Sequence, residues 1–200
     1  MTSTEDGAAA VRIARDAIYA ETSGSSADIS YPDVFERPAG VFVTIRNYPS
    51  GDLRGCIGYP EPVLPLIEAL VRSARSACHD PRFPDLQEEE LDFVTIEVTI
   101  LSKPERMTGD KQQLVRDIVI GRDGLIIEWK GRRGLLLPQV PGEWGWDATE
   151  YLENLSAKAG LRRDAWAESG SAIYSFTGEI FSETSPNGET ERGRVSTWTS

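Results

Sequence analysis

Two glycines bracket a thiol in Leu53-Arg54-Gly55-Cys56-Ile57-Gly58, and Tyr59-Pro60-Glu61-Pro62 follows at once. Glycines in a strand remove side chains where a packed sheet wants them, so they mark a bulge, a tight bend or a close backbone approach. The preceding Asn47-Tyr48-Pro49-Ser50-Gly51-Asp52 has hairpin-turn chemistry, so the segment enters as the second arm of a hairpin. In a regular strand Arg54 and Cys56 share a face. Two readings of the thiol stand open. A lone cysteine among apolar neighbours is a small buried hydrophobe. One flanked by an arginine and free backbone N–H groups has a lowered pKa and is reactive.

The other arm is Gly40 to Arg46, alternating and rich in β-branched residues. The clearest strand is Asp92 to Leu101, with Val94, Ile96, Val98 and Ile100 on one face and Thr95, Glu97 and Thr99 on the other. Glu97 is the first choice of carboxylate to face a cleft; a solvated outer face explains it equally. Residues 8 to 21 form an amphipathic helix burying Val11, Ala14, Ala17 and Ile18, with Arg12, Arg15 and Asp16 toward water. A second helix, from about Pro65 to His79, buries Leu66, Leu70, Ala74 and Cys78. Cys78 therefore reads as core.

His79 is the only imidazole in the chain. It ends a helix whose start adjoins the Cys56 arm, about 20 Å away by helical rise. Unless the connection folds back, a Cys56–His79 dyad is out of reach. In Asp80-Pro81-Arg82-Phe83, Arg82 either clamps the helix exit with Asp80 or offers a forked donor to a carboxylate or phosphate.

Beyond residue 114 a meander is expected, with turns at 121–124 and 130–134 and strands at 125–129 and 135–137. Pro138 to Trp146, holding Gln139, Trp144 and Trp146, reads as an irregular loop whose indoles anchor it or wall a ligand. Asp147 and Glu150 open a helix as a capping box, and Gly160 stops it. Ala172 to Phe181 reads as one final strand, and 184–200 as a mobile tail.

Helices and strands in this order favour an α+β fold with a mostly antiparallel sheet flanked by helices. The net charge of −11, from 32 acidic and 21 basic residues, disfavours nucleic acid as a partner. No apolar run suffices for a bilayer, no signal peptide is recognisable, and a cytoplasmic protein is the default. Two cysteines and one histidine give neither a disulfide framework nor metal-ligand spacing, so neither metal nor cofactor is expected.

The hexapeptide at 53–58 resembles the signature of the AMMECR1 family. Asp80-Pro81-Arg82-Phe83, Ile96 to Leu101, Gly134 to Val140 and Lys158-Ala159-Gly160-Leu161 match in the same order. The resemblance covers roughly residues 8 to 183, and implies a single domain over 5–183. It departs at Ser156, where many members carry a cysteine, and at Thr99, where serine is common. It also implies a larger and a smaller subdomain with a cleft between them, to which the Cys56 segment and the Gln139–Trp146 loop contribute. Memo-type and radical-SAM proteins are partners by the same resemblance.

Two functions follow. In the first, an enzyme or enzyme subunit acts on a small molecule: Cys56 is the nucleophile or acyl carrier, and Arg54 holds an anionic group. Amides near Gly55 and Gly58 bind an oxyanion, while Arg82, Gln139 and Trp144 contact substrate. In the second, a non-catalytic module binds a ligand or partner proteins, and Cys56 is packing.

Overall fold

The structure is a computed structural model that describes residues 2–26 and 29–193. In chain order its helices and strands begin with α1 (Thr4–Ser23), β1 (Val41–Asn47), β2 (Leu53–Tyr59), α2 (Leu66–Ala77) and β3 (Val94–Leu101). They continue with β4 (Glu105–Arg106), α3 (Lys111–Asp117), β5 (Gly124–Trp129), β6 (Arg132–Leu136) and α4 (Val140–Trp144). The chain then runs through α5 (Ala148–Lys158), β7 (Ala172–Phe176), β8 (Gly178–Glu183) and β9 (Thr190–Gly193). The class is α+β, and the paired strands are antiparallel. Two compact units emerge among the described residues, one from the residues up to Ser102 together with Glu179 to Gly193, the other from Lys103 to Gly178.

The first unit is a five-stranded sheet in the order β2-β1-β3-β8-β9. Its apolar side carries Val41, Val43 and Ile45 opposite Ile96, Val98 and Ile100, and packs in one core with α1 and α2. Ser3 caps α1 by accepting from the Asp6 amide, and Gly24 closes it in the left-handed region at φ 67°. A Cβ on Gly7 would lie 2.1 Å from the Phe181 ring, so only glycine lets α1 approach β8 so closely.

Arg15, expected toward water, is buried instead. It pairs with Glu183 of β8 and donates to the Leu91 and Val94 carbonyls at 3.0 and 2.9 Å. Glu183 also accepts from the Ile96 amide at 2.9 Å. A buried ion pair requires all its polar atoms satisfied in this way, and such a long-range partner leaves no trace in helical periodicity.

The second unit is a four-stranded sheet in the order β4-β7-β5-β6, with α5 packed on it. Tyr151 is buried, and its hydroxyl lies 3.1 to 3.2 Å from the Asp123, Leu136 and Leu137 carbonyls. The capping box is present: Glu150 N donates to Asp147 at 2.8 Å and Asp147 N to Glu150 at 3.0 Å.

Two boundaries differ from expectation. Ala172 to Phe181 is two strands broken at Thr177, with β7 in the second unit's sheet and β8 in the first's. Apolar alternation runs on through the break, so it does not mark a change of sheet. The stretch expected as a tail carries β9, which pairs with β8 from Ile180↔Gly193 to Glu183↔Thr190. Residues 194–200 lie outside the described residues.

Candidate functional site

Strand β2 is the edge of the first unit's sheet, paired only with β1 among the described residues. Its register runs Phe42↔Gly58, Thr44↔Cys56, Ile45↔Gly55, then jumps to Arg46↔Leu53. The irregularity falls at Arg54, which interrupts the simple alternation that groups it with Cys56.

Both glycines answer to packing. A Cβ on Gly55 would sit 2.4 Å from the Ala77 carbonyl oxygen, and one on Gly58 would sit 2.4 Å from the Phe42 ring. The backbone that approaches Gly55 is therefore the end of α2. The connection after β2 does fold back: a seven-residue strand spans about 23 Å and a twelve-residue helix about 18 Å, so α2 ends beside the start of β2. The premise that the helix carries His79 away from the motif is thus overturned. His79 still does not pair with Cys56, because its ring is held by Glu21 and Asp85, each at 3.1 Å. Asp85 first, then Glu21, raises its pKa.

The exit of α2 caps the open edge of the sheet. The Cys56 amide donates to Asp80 at 2.9 Å, and the Cys56 carbonyl accepts from Arg82 at 3.4 Å. Asp80 is buried, and also accepts from the Arg82 amide and guanidinium at 3.1, 3.0 and 2.6 Å. The Arg82 guanidinium is the main reason its carboxyl lies far below the usual range. Side chains thus take the bonds that a neighbouring strand would make, which protects an edge from foreign pairing. Arg54 is engaged as fully. Its guanidinium grips Glu90 at 2.9 and 3.0 Å and donates to the Pro84 and Asp85 carbonyls at 2.9 and 3.4 Å.

Cys56 is half-buried, and Thr44 Oγ1 donates to its Sγ at 3.3 Å. Burial is the largest influence and raises the thiol pKa; Thr44 and Arg82 oppose it, Glu97 and Asp80 add to it. Directly opposite Thr44 on β3 stands Glu97, so Cys56, Thr44 and Glu97 form one row across three strands on the side away from the helices. Glu97 is no solvated residue. Its side chain is 15% exposed, burial raises its pKa, and Oε2 lies 3.7 Å from Arg46. Oε1 is buried with no hydrogen-bond partner among the described residues. Among those residues no group of three His, Cys, Asp or Glu is placed to hold a metal. Cys78 is buried with its pKa pushed up to about 12, mainly by burial, as core packing requires.

Arg54, Gly55, Cys56, Gly58 and Arg82 thus come together in the first unit, while Gln139 and Trp144 belong to the second. The stretch read as irregular contains a short helix, α4, preceded by Gln139 and ended by Gly145 at φ 66°. Trp146 packs on the second core, and Trp144 stacks on it at 6.1 Å while remaining 69% exposed. Thr44 and Asp80 were not singled out as site residues. Thr44 sits in an apolar-looking strand, and only its register against Cys56 marks it.

The fold and this edge-strand site define a two-unit α+β protein whose signature strand is locked by the helix that follows it. The AMMECR1 family model matches residues 11–181, and the chain belongs to that family. A protein of Methanocella arvoryzae is 52% identical over 193 residues, 94% of this chain and 96% of that one. Protein MJ0810 of Methanocaldococcus jannaschii is 50% identical over 188 residues, 92% of this chain and 94% of its own length. The crystal structure of the uncharacterized protein PH0010 from Pyrococcus horikoshii superposes with a TM-score of 0.77 at 42% identity, covering 96% of this chain and 98% of that one. No helix among the described residues is long and apolar enough to cross a membrane.

Proposed function

We propose that the first unit is a ligand-binding module rather than a thiol enzyme. It takes a small molecule bearing an N–H or O–H donor on the polar side of its sheet. Glu97 accepts that donor, while Thr44 and Cys56 form the adjoining wall. One observation carries the reading: Glu97 Oε1 is buried without a hydrogen-bond partner among the described residues, and a buried acceptor left unpaired costs about 1–3 kcal/mol unless something fills it. The residues an enzyme would use are otherwise engaged. Arg54 and Arg82 are tied to Glu90 and Asp80, Gly55 and Gly58 accommodate Ala77 and Phe42, and burial raises rather than lowers the Cys56 pKa.

The enzyme reading retains one observation, the Thr44 bond to Sγ in the same row as a carboxylate whose raised pKa suits a base. In either reading the protein works in the cytoplasm. Its partners are the Memo-type and radical-SAM proteins that the family resemblance names.

The test is a thermal-shift screen of small amines, amides and alcohols, each matched with its fully methylated counterpart. Wild type and Cys56→Ser are expected to be stabilised by the same donors, and Glu97→Met, which carries no acceptor oxygen, by none. Stabilisation lost in Cys56→Ser but kept in Glu97→Met overturns the reading in favour of thiol chemistry.

A further inference from the structure

The second unit carries a feature independent of that site. Trp144 leaves more than two thirds of its surface in water, although an indole is among the costliest side chains to expose. It is held rigidly. Trp146 is stacked against it with 17° between the rings, the Trp146 amide donates to the Pro141 carbonyl at 2.8 Å, and Pro141 is buried. A fixed exposed aromatic loses little entropy on contact, as an interface anchor requires.

Along the chain on either side of Trp144 the charge is of one sign. From Pro138 to Ala157 there are four carboxylates, Glu143, Asp147, Glu150 and Glu153, and no lysine or arginine. Glu143, Asp147 and Glu150 are exposed; Glu153 faces Arg163 at 3.8 Å. An indole face beside carboxylates attracts cations twice, through its ring quadrupole and through Coulomb attraction. The same unit already shows that pairing, since the Lys130 ammonium lies 4.0 Å above the Trp129 ring.

We infer that the Trp144–Trp146 stack is a docking platform for a basic segment of another protein, with an arginine or lysine side chain laid on Trp144 and neighbouring cations facing Glu143, Asp147 and Glu150. The acidic surround excludes acidic segments and nucleic acid from this platform, and a purely apolar partner would leave the carboxylates unanswered.

The experiment titrates the full chain with a fluorescein-labelled peptide alternating arginine and glycine. Its controls replace arginine by uncharged citrulline or by glutamate. Saturable binding that quenches tryptophan fluorescence and weakens with salt is expected for the arginine peptide alone. Trp144→Ala should weaken it about tenfold or more, Trp144→Phe much less, and Glu143→Gln by a smaller factor. Because Trp144 is exposed, all three variants should keep the wild-type melting temperature. Four results overturn the proposal: no saturable binding, equal binding of the citrulline peptide, unchanged binding by Trp144→Ala, or concentration-dependent self-association that Trp144→Ala abolishes. Binding that appears only after truncation beyond Gly193 overturns it too, because the chain's own terminus would then be the occupant.

Discussion

In the Leu53–Tyr59 strand the chain itself occupies most of the distinctive residues, whereas in the Val140–Trp144 helix the distinctive residue is turned outward. Arg54 and Arg82 make ion pairs, Gly55 lies under the Ala77 carbonyl, and the Cys56 amide and carbonyl are capped by Asp80 and Arg82. Trp144 touches Trp146 and is otherwise largely in water. A residue type that looks chemically special is therefore no guide to function until its partners are known. In the first unit the available chemistry lies two strands away from the motif's own guanidinium, on Glu97 of β3.

The sharpest way to break the contrast is to add one methyl group in each region. Gly55→Ala places a Cβ against a backbone oxygen that cannot swing aside, and should cost about 3 kcal/mol in chemical denaturation. Gly142 in α4 has open space around its Cβ position. Gly142→Ala should therefore stabilise the fold by about 0.5–1 kcal/mol. A tolerated Gly55→Ala would mean that the glycine serves a ligand's approach instead.

Next in size, Asp80→Asn removes charge-assisted bonds to the Cys56 strand and Arg82, and should cost about 2 kcal/mol near neutral pH. The Asp80 carboxyl is depressed below its ordinary 3.8. Its contribution is thus present above that value and is lost as pH falls toward the depressed folded one. The wild-type advantage should stay constant from about pH 5 to 8 and shrink below about pH 4. A gap that widens in acid contradicts the clamp.

Glu97 has the opposite sign. Its folded pKa is raised above 4.5 by burial, so its favourable contribution is present below that value and lost as pH rises through the folded one. Without ligand, Glu97→Gln should gain on wild type as pH increases, measured by melting across pH. A mutant that loses ground with rising pH would mean that Arg46 already satisfies the carboxylate. Smallest of all, Ser73 lies in the α2 core with Oγ unpartnered among the described residues. Ser73→Ala should be neutral or stabilising by up to about 1 kcal/mol.

Much of this was readable from side-chain periodicity, because alternation and helical stripes are local. Val94 to Ile100 show the core side of β3, and Leu66, Leu70 and Ala74 that of α2. What was not readable depends on distant partners. Arg15 turns inward because Glu183 waits 168 residues away. Nothing near Thr177 signals the change of sheet. The glycine pair flagged its strand correctly, but the cause of each glycine is a contact with Ala77 or Phe42 that only the folded chain supplies. Glu97 could be nominated on alternation alone; its burial could not.

The central claim is that Cys56 is a wall of the site and not its nucleophile. Iodoacetamide labelling of the native protein across pH, with Cys56 and Cys78 resolved by peptide mass, tests it most directly. The account predicts that Cys56 labels more slowly than a free thiol, with an apparent pKa above the ordinary 9.0, and that Cys78 labels only on unfolding. Selective, rapid labelling of Cys56 with an apparent pKa well below about 8.5 would contradict it and identify an activated thiol.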